Sequence, residues 1–266
     1  MYNEQGKSYA SYVHEHLDRK NIKENTIKDF NLKEIVLTIL LKNKDIERFC
    51  DFLSNNCIKL SDLPKSGNFI QILNKKTGIS LNTLNELLSI TGIRKGRVLG
   101  KGEILLSIFL DDVKVRDISG DLNWCGLNLE VKGSNGRFGE RNREISSDTL
   151  IVDYIKNNNI TDFRLDSILN NTVDKQHYLQ DIIKKNFNVT GDIETDNIRS
   201  LLSYYYIAFY AQKKNIDAFF LLNTERSKGR YRFFKTNEIK EYILNGTITV
   251  QPFYIKNMNP SLNTIK

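Results

Sequence analysis

Cysteine, histidine and proline are scarce in this chain of 266 residues, and it has no long apolar run. Each shortage removes a class of protein. Three cysteines, Cys50, Cys57 and Cys125, form no CxxC pair. An odd count without an export signal predicts reduced thiols in a cytosol. No run of about eighteen apolar residues occurs, so neither a membrane helix nor a membrane partner is expected. The opening Met1-Tyr2-Asn3-Glu4-Gln5-Gly6-Lys7 lacks the apolar core of a signal peptide. His14 and His16 stand close together, but the remaining ligands of a zinc motif are absent. His177 has no partner motif and reads as an ordinary surface residue.

What is present describes a globular protein of one large or two small domains, 40% hydrophobic and 27% charged. The formal net charge is +7 and the sequence pI is about 9.1. That excess favours a polyanionic partner, although a generic basic surface produces the same number.

Residues 1 to about 95 read mostly as helix. From Asp45 onward, Ile46, Phe49, Cys50 and Leu53 recur on one helical face. Ser80 is a good N-cap for a helix carrying Leu84, Leu87, Leu88 and Ile90, which Gly92 would close. Pro64 breaks the chain before that helix. After Gly92 the pattern changes. Gly100-Lys101-Gly102-Glu103 opens an apolar helix from Ile104 to Leu110. Strands are predicted at Val113 to Ile118, Asp121 to Trp124 and Leu127 to Lys132. Further helices are expected over residues 148 to 186 and from Asn197 to Lys214. Ala218 to Leu222 is a continuous apolar run that suits a central strand covered on both faces. Tyr231 to Phe234 and Thr247 to Val250 are expected as later strands. This order predicts an α/β fold, with a mixed β-sheet flanked by helices in residues 96–266 and a helical N-terminal region in residues 1–95. The aromatic run Tyr204-Tyr205-Tyr206, Phe209 and Tyr210 fits a core stripe, and Trp124 is expected to pack on the sheet.

The chemistry concentrates around the third predicted strand. Leu127, Leu129 and Val131 alternate with Asn128, Glu130 and Lys132, the period of a half-buried strand. Glu130 and Lys132 then share a face. A two-residue turn at Cys125-Gly126 would set Asp121 directly across from Glu130, close enough for two carboxylates to share a cation. Hard oxygen ligands of this kind suit Mg²⁺, with Mn²⁺ as a substitute, and the main-chain carbonyl of Val131 is a third candidate ligand. Lys132 would orient and acidify an attacking water, stabilise a transition-state charge, or act as a base if its pKa were lowered. Charged strand faces in lysine-rich chains are also commonly just solvated.

Asp121 followed by Glu130-Val131-Lys132 resembles the signature of the PD-(D/E)XK nuclease superfamily, which includes type II restriction enzymes, junction resolvases and phage endonucleases. The order of elements from about 100 to 223 is similar to that family's core of a helix, a three-stranded antiparallel meander, a helix and another strand. Glu103 matches the glutamate many members carry on the first core helix. Gly120 stands where the nominal motif has proline, a position that varies in the family. The resemblance implies a restriction-endonuclease-like fold and Mg²⁺-dependent cleavage of DNA. It makes Glu103, Asp121, Glu130 and Lys132 the catalytic set, with Glu103 at a second metal position. It also implies the cytoplasm of a bacterial or phage-infected cell. A homodimer is expected, because cutting both strands commonly takes two active sites.

Three basic segments accompany the motif: Arg94, Lys95, Arg97 and Lys101 before the helix, Arg137, Arg141 and Arg143 after Lys132, and Arg230 after the buried strand. Each is read as a loop whose cations contact phosphates or guanine edges, or else as a solvated turn. Two rival functions stay open. One is a structure-selective junction or repair nuclease with the same chemistry. The other is a DNA-binding or virion structural protein that keeps the fold without catalysis.

Overall fold

A computed structural model describes residues 8–22, 32–55, 58–94, 97–116, 121–133, 210–212, 214–224, 229–245, 249–250 and 262–263. The chain divides into two compact units, Met1–Gly133 with Ile216–Phe234, and Ser134–Asn215 with Lys235–Lys266. The helices expected over 148 to 186, most of the helix expected from Asn197 to Lys214, and His177 lie outside the described residues.

The first unit begins with helices α1 (Tyr9–Arg19), α2 (Leu32–Lys42) and α3 (Ile46–Asn55). A short strand β1 (Ser66–Asn68) follows, then α4 (Phe69–Thr77) and α5 (Leu81–Leu88). Local chemistry fixes the ends. The Ser80 hydroxyl accepts from the Thr83 amide at 3.2 Å, as the sequence predicts for an N-cap. Asn68 caps α4 in the same way, and Gly78 ends it in the left-handed conformation with φ 70°. Gly92 does not close α5. That helix ends at Leu88 with Ser89 as its cap, and Gly92 opens a strand instead.

Strands β2 (Gly92–Arg94) and β3 (Arg97–Leu99) form an antiparallel hairpin, Arg94 facing Arg97. The segment around Arg94, Arg97 and Lys101 is thus not a loop. Ile93, Val98 and Leu99 suit paired strands.

Helix α6 (Lys101–Phe109) leads into the meander β4 (Val113–Val115), β5 (Leu122–Trp124) and β6 (Leu127–Gly133). Strand β7 (Ala218–Leu222) runs parallel to β6, and β8 (Arg230–Lys235) follows it. The resulting six-stranded sheet has the order β1-β8-β7-β6-β5-β4. It is a mixed open sheet in an α/β unit. A parallel neighbour cannot be reached by a tight turn, and some eighty residues separate β6 from β7.

One apolar cluster binds α1–α6 to one face of this sheet. It takes alternate strand residues: Leu129 from β6, Ala218, Phe220 and Leu222 from β7, and Tyr231 and Phe233 from β8. Phe220 stacks on Tyr231 with centroids 4.9 Å apart, and Trp124 meets Phe233 edge-on at 5.0 Å, packing on the sheet as expected. The boundary expected at residue 95 therefore falls inside this unit. The first five helices share their core with the sheet, and β1 extends the sheet from within the N-terminal region.

In the second unit, α7 (Ile239–Leu244) and the two-stranded pair β9 (Thr249–Val250) and β10 (Leu262–Asn263) are described. The strand expected at Thr247 to Val250 thus pairs outside the main sheet. Among the described residues, no helix is long and apolar enough to cross a membrane.

Candidate active site on the β5–β6 hairpin

Strands β5 and β6 pair with Leu122 opposite Leu129, Asn123 opposite Asn128 and Trp124 opposite Leu127. This is the register the sequence predicts from a turn at Cys125-Gly126. Both turn residues carry positive φ, 49° at Cys125 and 90° at Gly126. Such a turn matches the right-handed twist of the strands it joins. Gly126 adopts the conformation readily, whereas Cys125 adopts it at some cost.

Asp121 lies one residue beyond the last ladder pair, at the position facing Glu130. Its carboxylate takes over where the ladder stops, with Oδ2 accepting from the Val131 amide at 2.7 Å. Val131 turns towards α6. A Cβ placed on Gly102 of that helix would lie 3.0 Å from Val131 Cγ1 and 3.1 Å from Leu222 Cδ2, so the helix lies tightly on β6 and β7. Its neighbours Glu130 and Lys132 project from the opposite face of the strand by alternation. There the Lys132 ammonium pairs with Glu130 Oε1. Glu103 sits in the first turn of α6, its carboxylate folded back beside Gly100.

Glu103, Asp121 and Glu130 are 8%, 9% and 5% exposed, and the Lys132 side chain is 15% exposed. Burial, followed by the charges of Glu130 and Glu103, pushes the Asp121 carboxyl well above the usual carboxylate range. The Lys132 ammonium and the Val131 amide only partly oppose this. Burial also works against the Lys132 ammonium, but Glu130, Asp121 and Glu103 together outweigh it and raise its pKa. Without a metal, Lys132 is therefore held as an ammonium ion and not as a base.

The donor set suits a hard divalent cation. Buried carboxylates that repel one another are relieved by Mg²⁺, which accepts two protein oxygens and keeps several waters. Among the described residues, no group of three His, Cys, Asp or Glu side chains is spaced to hold a metal ion. A metal ion held here would draw on Asp121 and Glu130, with main-chain and water oxygens completing its shell.

The other predicted contacts are distributed unevenly. Arg94 and Arg97 pair across the β2–β3 hairpin, Lys101 is the first residue of α6, and Arg230 opens β8 opposite Asn68. Lys95, Arg137, Arg141 and Arg143 lie outside the described residues, as does the aromatic run apart from the buried Tyr210. His14 and His16 serve structure. His14 approaches Glu34 at 3.1 Å, and buried His16 bonds the Ile108 carbonyl at 2.8 Å.

Sequence reasoning missed Asp112 and Asp217, the carboxylates that tie this hairpin in place. Asp112 accepts from the Trp124 indole at 2.9 Å and from the Leu60 amide at 2.8 Å. Asp217 accepts from the Asn128 amide at 2.7 Å. Their partners are distant in sequence, so no local pattern announces them.

No family model matches the chain, and neither a curated protein nor a solved structure matches it.

Proposed function

We propose that this chain is a Mg²⁺-dependent DNA endonuclease with a restriction-endonuclease-like fold, related to the PD-(D/E)XK superfamily. The observation that carries the proposal is the burial of the Asp121 and Glu130 carboxylates beside the Lys132 ammonium on the β5–β6 hairpin, with buried Glu103 near enough for its charge to act on Asp121. Charged side chains are seldom buried together unless they are paired or bind a ligand. The order α6, β4, β5, β6 and then β7 adds support, because the resemblance implies these elements in this sequence; its second helix falls outside the described residues.

Asp121, Glu130 and the Val131 carbonyl would hold the metal, with Glu103 serving a second position. Bound there, Mg²⁺ supplies Lewis acidity that favours deprotonation of water and neutralises charge on the phosphate. The Val131 amide fixes the Asp121 carboxylate in place. Lys132, kept as an ammonium by Glu130, orients the attacking water and stabilises the charge that builds on the phosphoryl oxygens. Water adds to phosphorus in line and gives up a proton to solvent, the P–O bond to the leaving oxygen breaks, and that oxygen takes a proton from solvent and leaves as a hydroxyl. Two such sites in a homodimer would cut both strands.

The test uses the purified chain with supercoiled plasmid, linear duplex and four-way junction DNA, in Mg²⁺ or in Ca²⁺. Cleavage is expected in Mg²⁺, with DNA binding but little cleavage in Ca²⁺, whose larger and looser shell positions water poorly. Cleavage confined to junctions would favour the junction-resolving alternative. Tight DNA binding without cleavage in Mg²⁺ or Mn²⁺ would favour the non-catalytic one.

A further inference from the structure

A cavity of about 300 Å³ lies at the far end of α6 from Glu103, between α1, α3 and β4. It plays no part in the proposed cleavage chemistry. From Glu103 to Phe109 the helix rises roughly 9 Å, so the cavity and the carboxylate cluster are separate places.

The walls divide by chemistry. Phe52, Leu53, Ile58, Ile108 and Phe109 form an apolar floor, with the Phe52 and Phe109 rings tilted at a centroid distance of 5.9 Å. Arg19, Lys20 and Lys114 bring three cations against one carboxylate, Asp111. Lys20 is committed to the fold. Its ammonium donates to the carbonyls of Leu110 at 2.6 Å, Asp111 at 2.7 Å and Val113 at 3.2 Å, closing the C-terminal end of α6. Arg19 and Lys114 are different. Both are exposed at the rim, and neither forms an ion pair among the described residues. His16 adds a neutral wall, because burial pushes its imidazole down to about 4 and its Nε2 faces the Ile108 carbonyl.

From this arrangement we infer that the cavity binds a small organic anion, with its apolar body on the phenylalanine floor and its carboxylate or phosphate held by Arg19 and Lys114. The volume sits at the lower end of the range for ligand sites, roughly 300–1,000 Å³, and admits about one ring with a charged group. A guanidinium at the rim grips such a head group through two parallel hydrogen bonds. The apolar floor gives the body a place that a bare inorganic ion would leave unused.

The experiment titrates the full chain calorimetrically, without DNA or metal, against four probes. Phenyl phosphate carries both features, inorganic phosphate only the charge, benzyl alcohol only the ring, and benzylamine the ring with the opposite charge. Phenyl phosphate should bind saturably at one site per chain, with each of the others roughly tenfold weaker or more. Arg19→Ala with Lys114→Ala should weaken phenyl phosphate by a similar factor. The double variant Lys75→Ala with Lys76→Ala removes the same charge from exposed positions on α4 and should leave binding unchanged. Absence of saturable phenyl phosphate binding at millimolar concentration would overturn the inference. Equal binding of benzylamine, or equal weakening by both double variants, would do so as well. DNA cleavage is not read at any step, so this outcome is independent of the proposed endonuclease activity.

Discussion

At neutral pH the buried carboxyl of Asp121 works against two neighbours of its own sign, Glu130 and Glu103. In the metal-free protein its folded pKa lies above its ordinary value near 3.8. The stability linked to it is thus fully present below that value and is lost as pH rises through the raised pKa. Asp121→Asn keeps an oxygen for the Val131 amide and removes the charge. In the presence of a chelator, the Asn variant should match or fall below the wild type in melting temperature at about pH 4 and exceed it increasingly towards neutrality. Thermal unfolding across that range checks this, and a difference independent of pH would contradict the buried-repulsion account. Lys132 makes a second residue-scale case. Lys132→Ala removes an ammonium that is no metal ligand, so calorimetry should find Mg²⁺ binding retained while cleavage falls by about a hundredfold or more. Loss of metal binding would show that Lys132 acts by holding the carboxylates in place.

Helix α6 and the β5–β6 hairpin are the elements that assemble the site, and their contact is set by one missing side chain. Gly102 lets the helix settle onto Val131 and Leu222. Gly102→Val should lift the first turn of α6 and shift Glu103. Cleavage should then fall several-fold, with circular dichroism reporting an intact helical signal. Unchanged activity would remove Glu103 from the proposed site. Much of this level was legible in the sequence. Alternation of Leu127, Leu129 and Val131 with Asn128, Glu130 and Lys132 predicts β6, and a two-residue turn fixes the register with β5 that the structure adopts. Helix α6 and strand β7 also announce themselves by composition. Strand β1 does not, because Ser66-Gly67-Asn68 has no apolar alternation and becomes a strand only by pairing with β8. The β2–β3 hairpin is not legible, because Arg94 and Arg97 interrupt the short apolar pattern of Ile93, Val98 and Leu99. Burial of Lys20 was equally out of reach, since the carbonyls it serves are some ninety residues away.

Across the whole molecule, the N-terminal helices and the sheet share a single apolar core, so residues 1–95 help build the frame of the candidate site. Helical periodicity predicts which faces are apolar but not which partner covers them, and the expected boundary near residue 95 followed from that limit. The net charge of +7 suits a nucleic-acid partner at this scale without locating the contact. The central claim is that the buried carboxylates form a metal-dependent cleavage centre. Its most direct test compares wild type with Glu130→Ala on supercoiled plasmid in Mg²⁺, with DNA affinity measured on the same preparations. The account predicts plasmid cleavage by the wild type. It also predicts cleavage by the variant reduced to background while its DNA affinity stays within a few-fold. Near-normal cleavage by Glu130→Ala would contradict the account.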